Sequence, residues 1–142
     1  MKQALLVIVF FIATQLLYAQ LPPRDSLVGK WICKEVKMLD DPSLKTEDPK
    51  VVAQMTNVFI KSVFDFNSNG KFNLKFDQSV PKEISQGSEF LNKNWTVDLA
   101  KGYIRIGEAK ENIAQIYVKQ NNNKTFFIIQ DIPVLMLVER VR

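Results

Sequence analysis

The chain has 142 residues, 46% hydrophobic and 24% charged, with 19 lysines and arginines against 15 acidic residues and a net charge of +4. This size and balance predict a single globular domain around one core. Without histidine there is no Ser-His-Asp triad, no Cys-His pair and no histidine-ligated zinc or iron, and one cysteine makes neither an intrachain disulfide nor a thiolate zinc site.

Lys2 supplies a short basic start, residues 4–13 form an almost unbroken apolar run, and Leu17-Tyr18-Ala19 ends in a small residue. These are the three parts of a secretory signal peptide, expected over 1–19 with cleavage after Ala19. Thr14 and Gln15 interrupt the run short of the roughly 20 apolar residues that a membrane-spanning helix needs. No span is therefore expected after cleavage. The Ala-Gln ending resembles bacterial export signals, and no cysteine follows the run for acylation. A periplasmic or secreted protein, not a lipoprotein, is the expectation. Its lone Cys33 is expected as a buried apolar thiol, so the core alone supplies stability. The basic residues are scattered and form no nucleic-acid-binding stripe.

Residues 20–26 carry Pro22 and Pro23 and are expected as an extended leader. A first strand is predicted over 28–38, half-buried and with one bulge, its inner face carrying Trp31 and Cys33. Alternation brings Glu35 near the interior, where it would hold a ligand's polar head. The cost of burying an unpaired carboxylate favours a bulge that turns it outward. Asp40, Asp41, Pro42 and Ser43 have turn chemistry. Asp48 as N-cap and Pro49 at the first helical position predict a helix over 49–61. Val51, Val52, Met55, Val58 and Phe59 give it one apolar stripe, opposite Lys50, Gln54 and Asn57.

From Ser62 the period becomes two. Segments 63–66 and 71–76 flank Asn67-Ser68-Asn69-Gly70, residues that tolerate the positive φ of a tight hairpin. Phe72, Leu74 and Phe76 share a face. A loose polar segment surrounds Val80-Pro81, and a strand containing 94–99 turns at Ala100-Lys101-Gly102 into a strand over 103–106. Trp95, Val97, Leu99, Ile104 and Ile106 are expected in the core. A further hairpin over 112–120 and 124–130 and a last strand over 132–141 bring the count to about eight strands, with no linker or repeat between them. Short, evenly spaced antiparallel strands suit a sandwich or a barrel.

Gly29-Lys30-Trp31, the phenylalanine-rich hairpin, the Asn94-Trp95-Thr96-Val97-Asp98 strand and the closing 134–141 segment resemble the small exported lipocalin-like domains of bacteria. The resemblance spans 27–142. It implies an all-β, eight-stranded antiparallel up-and-down barrel with one short helix between strands 1 and 2. Gly29 and Trp31 would close one end, with Arg140, or alternatively Arg142, covering the indole as a cation–π contact. The helix would lie over the open end, and Val52, Met55, Phe59, Phe72 and Leu74 would meet a small apolar or amphipathic ligand. The opposing expectation is that the stripe packs on a barrel filled by its own side chains.

Other chemistry is weakly signalled. Asp65-Phe66-Asn67-Ser68-Asn69-Gly70 matches the start of a calcium loop, but Phe76 stands where a bidentate glutamate is needed and the flanks read as strands. The acidic cluster Asp40, Asp41, Glu47 and Asp48 reads as a solvated loop with a helix cap. Glu35 and Glu108 are the carboxylates considered for glycosidase chemistry, which needs two such groups about 5–10 Å apart in a cleft. Asn94-Trp95-Thr96 and Asn123-Lys124-Thr125 fit a glycosylation pattern that a bacterial periplasm leaves unused. No catalytic residue, metal or cofactor is expected. The predicted function is non-enzymatic ligand binding. A barrel that binds another protein, including an inhibitor whose N-terminal arm enters a protease, is the alternative.

Overall fold

The computed structural model describes residues 21–39, 48–85, 90–111 and 113–142, with the side chains of Val51 and Val52 outside the description. The expected signal peptide, and Asp40, Asp41 and Glu47 of the acidic cluster, lie outside the described residues.

Among the described residues, eight antiparallel strands close into one barrel in which each bonds to the next and the last returns to the first. They are β1 (Gly29–Met38), β2 (Val63–Phe66), β3 (Lys71–Lys75), β4 (Lys93–Asp98), β5 (Tyr103–Ile106), β6 (Ala114–Asn121), β7 (Lys124–Ile129) and β8 (Val134–Arg140). Three helices accompany them among the described residues: α1 (Arg24–Leu27), α2 (Pro49–Phe59) and α3 (Lys82–Ser85). This is the up-and-down barrel with a helix between strands 1 and 2 that the sequence predicts.

Turn chemistry makes the hairpins. Between β2 and β3, Asn67 N–H donates to Lys71 O (2.8 Å), Asn69 Oδ1 accepts from Lys71 N–H (3.0 Å), and Gly70 takes a φ of +84° that glycine adopts without a Cβ clash. Alternation along each strand then sends one set of side chains inward. Phe64, Phe66, Ile104, Ile106 and Phe127 are fully buried, and they form one continuous core with Trp31 and Trp95. Burying a side chain of this size contributes about 1.5–3 kcal/mol relative to leaving it exposed.

A bulge decides the orientation of β1. The β1–β8 register slips between Cys33 and Glu35, so Lys34 and Glu35 are both exposed while Cys33 and Val36 stay on the inner side. Glu35 therefore points away from the core.

Three expectations are corrected. Leu99, expected inside, is 72% exposed, because β4 ends at Asp98 and a turn begins there. Asp98 Oδ1 accepts from Lys101 N–H (3.0 Å) and Asp98 O from Gly102 N–H (2.8 Å). The leader, expected to be extended, forms the helical turn α1 with Leu27 buried. The segment after Val80 contains α3, one turn long, in place of a loose connection.

Candidate functional site

The two ends of the barrel are built differently. At one end, Trp31 of β1 points its indole N–H at Leu27 O (2.9 Å), and the Arg140 guanidinium carbon lies 4.8 Å from the ring centroid. Arg140 also donates to Val28 O (2.9 Å) and to Ser26 O. Of the two arginines considered, Arg140 is the one over Trp31. Gly29 beside it takes a φ of +129°, a conformation that glycine adopts and other residues rarely do.

A second tryptophan repeats the arrangement. Trp95 Nε1 donates to Asn67 O (2.9 Å), and the Arg24 guanidinium lies 4.5 Å from the indole centroid while Nη2 reaches Ser68 O (3.3 Å). The segment around α1 thus ties both indoles and seals this end. Sequence reasoning missed Arg24, because one arginine in a proline-bearing leader has no local signal of a partner 71 residues away. Between the tryptophans runs a chain of tilted and edge-to-face rings: Trp31–Phe127 at 5.8 Å, Phe127–Phe66 at 5.9 Å and Phe66–Trp95 at 5.1 Å.

The opposite end is roofed by α2. Asp48 Oδ1 caps its start by accepting from Lys50 N–H (2.9 Å). Phe59 is buried against Phe76 (centroids 6.2 Å apart), Met55 and Val58 pack on the core, and Gln54 and Asn57 face solvent. Past its end, Lys61 N–H donates to Cys33 O (2.9 Å) and Cys33 N–H to Ser62 O (2.9 Å), anchoring the helix to β1. Phe59 and Leu74 are both buried in the core, with Met55 packed against it. Phe72 packs on Phe66 (5.0 Å) and Phe64 (6.3 Å), in the aromatic cluster nearer the closed end. The side chain of Val52 is outside the described residues.

Cys33 faces the core, fully buried, and burial pushes its thiol up from 9.0 to about 11, partly opposed by hydrogen bonding with the Glu35 backbone. The folded thiol therefore keeps its proton to higher pH than the unfolded one. Its contribution to stability is intact below about pH 9 and is lost as pH rises toward 11, at up to about 1.4 kcal/mol per pH unit. Urea unfolding of the wild type and Cys33→Ala between pH 8.5 and 10.5 is expected to show a steeper decline for the wild type. Parallel curves would show that the thiol titrates alike in both states.

The carboxylates weighed for chemistry lie apart on the outside of the barrel. Glu35 lies opposite Leu137 on β8, whereas Glu108, beyond β5, accepts from Asn94 Nδ2 (2.5 Å). Asp98 pairs with Arg105 (3.5 Å). Hydrogen bonds from the Ser79 hydroxyl and N–H hold the Asp77 carboxyl below its usual range. Among the described residues, no three His, Cys, Asp or Glu side chains come together as a metal donor set. The hairpin that resembles half a calcium loop has its Asn69 carboxamide committed to its own turn.

The fold and its two unlike ends define a class: a small, closed, up-and-down β-barrel with one sealed end and one helix-roofed end. Comparison of the chain with family models, with curated proteins and with solved structures finds no match.

Proposed function

We propose that the chain is an exported, non-enzymatic, lipocalin-like barrel that takes a small apolar or amphipathic ligand at the end roofed by α2. The observation that carries this reading is the inequality of the two ends. One is sealed by two tryptophan–arginine contacts and the hydrogen bonds around α1. The other is covered by one amphipathic helix, anchored to β1 just past its C-terminal end and resting on Met55, Val58 and Phe59. Phe59 of this helix packs on Phe76, so a ligand that displaces the helix would meet apolar side chains there. A drug-sized ligand needs about 300 Å3 or more of such space, and the flexible thioether of Met55 adapts to its shape. Export rests on the basic, apolar and small-residue order of 1–19, and the non-enzymatic reading on the missing histidine and on Glu108 and Asp98 being held by Asn94 and Arg105.

Titration with an environment-sensitive fluorescent fatty acid tests this. Saturable binding with a Kd of about 1 µM, weakened about tenfold or more by Leu74→Trp at unchanged fold, is the expected result. Absence of saturable binding, together with an adduct-free native mass for protein purified from its own host, would remove the ligand from the account. The alternative of a protein-binding barrel draws support from half-exposed apolar residues on the outer face of β7 and β8.

A further inference from the structure

Outward-facing residues of β6, β7, β8 and β1 form cross-strand rows of an unusual kind. One row reads Lys119, Phe126, Leu137, Glu35, each residue paired in register with the next. The adjacent row reads Tyr117, Ile128, Leu135, Lys37. On the other side, Lys124 of β7 and Glu139 of β8 follow one step beyond the Thr125–Val138 pair, and both are exposed. Phe126, Ile128, Leu135 and Leu137 alternate with the inward residues and keep part of their surface in water. Phe126, Leu135, Leu137, Glu35, Lys37 and Lys124 line one shallow surface groove.

The geometry points to a second copy of this chain as the occupant of the face, in a two-fold dimer whose axis runs parallel to the strands between β7 and β8. A two-fold interface presents the same patch twice, so every residue must suit its mirror position across the axis. That operation exchanges β7 with β8 and β6 with β1. It sets Phe126 over the other copy's Leu137 and Ile128 over Leu135. Lys119 then faces Glu35, Lys124 faces Glu139, and Lys37 meets the ring of Tyr117. No like charges are opposed among the paired residues of these rows; Lys34, the unpaired residue of the bulge, stands beside Glu35. The strands of the two sheets run in one general direction, the aligned packing that twisted sheets adopt at about 30° with roughly 10 Å between them. An arbitrary partner would not require positive and negative residues to be placed at equal distances on opposite sides of one line.

Four strands about 4.8 Å apart and three rows about 6.8 Å apart give a footprint of roughly 400 Å2 per copy. Stable complexes bury nearer 800 Å2 per partner. The dimer is therefore a weak one, with a Kd of about tens of micromolar, and it stands independently of any ligand in the barrel.

Sedimentation velocity of the purified chain from about 5 µM to 1 mM is the measurement, with charge reversals as probes. Lys119→Glu alone and Glu35→Lys alone each oppose like charges twice per dimer and are expected to weaken self-association about tenfold. An equimolar mixture of the two variants restores both pairs and is expected to form heterodimers near wild-type affinity. Both positions are exposed, and unchanged thermal unfolding confirms that the variants fold. A wild type that stays monomeric to 1 mM, or a mixture no tighter than either variant alone, would overturn the proposal.

Discussion

Phe127→Ala is expected to lower the stability of the barrel by about 3–5 kcal/mol, the range for removing a buried aromatic side chain. Phe127 is fully buried and touches three rings: Phe64 edge-on at 5.3 Å, Trp31 at 5.8 Å and Phe66 perpendicular at 5.9 Å. Truncation removes its own transfer free energy and leaves a hole between strands whose closure prevents collapse, so the cavity cost adds to the transfer cost. Edge-to-face geometry contributes about 0.5–1.5 kcal/mol per pair beyond burial. Phe127→Leu, which keeps much of the volume, is expected to cost well under half as much. Urea unfolding followed by tryptophan fluorescence measures both. A loss below about 1 kcal/mol for the alanine variant would mean that the ring cluster is not the core described.

Arg140→Ala is expected to cost about 2–3 kcal/mol and to free residues 21–28 from the sealed end. The guanidinium does three things at once: it covers the Trp31 indole and donates to the carbonyls of Ser26 and Val28. Arg140→Lys keeps the charge but not the planar fork, so it is expected to recover less than half of the loss. Arg142→Ala is expected to change stability by no more than about 0.5 kcal/mol, as for other exposed substitutions. Local release separates this effect from global unfolding. Amide exchange at 27–31 should accelerate in the Arg140 variant under conditions where exchange in β5 and β6 does not, and uniform acceleration would argue against a local lock.

Much of this architecture is local and was therefore legible in the residues. Asn67 to Gly70 carries its turn within itself, and Asp48-Pro49 starts α2 through an N-cap bond and a preset φ. The two-residue alternation of Phe64, Phe66, Phe72 and Leu74 marks an inner face without reference to any other strand. Leu99 failed the same reasoning because alternation cannot say where a strand stops. The Asp98 hydrogen bonds that begin the turn outweigh the tendency to bury one more leucine.

The site was legible only in part. The apolar stripe of α2 was readable from its spacing, and Met55, Val58 and Phe59 pack into or on the core. The position of Phe72 depends on which strand stands behind it, and that is a property of closure. Two arginines over two tryptophans illustrate the difference: Arg140 was expected from a resemblance, whereas Arg24 belongs to a leader whose proline content reads as extended chain.

By itself, then, the sequence determined the eight strands, the helix between the first two and most of the inner faces, because those follow from contacts a few residues apart. Tertiary structure alone decided that β4 stops before Leu99, that Phe72 lies in the aromatic cluster, and that α1 seals one end. It also aligned Lys119, Phe126, Leu137 and Glu35 into one row. Those four residues come from four strands, and their register is set by hydrogen bonding around the whole barrel, which no local stretch of the chain encodes.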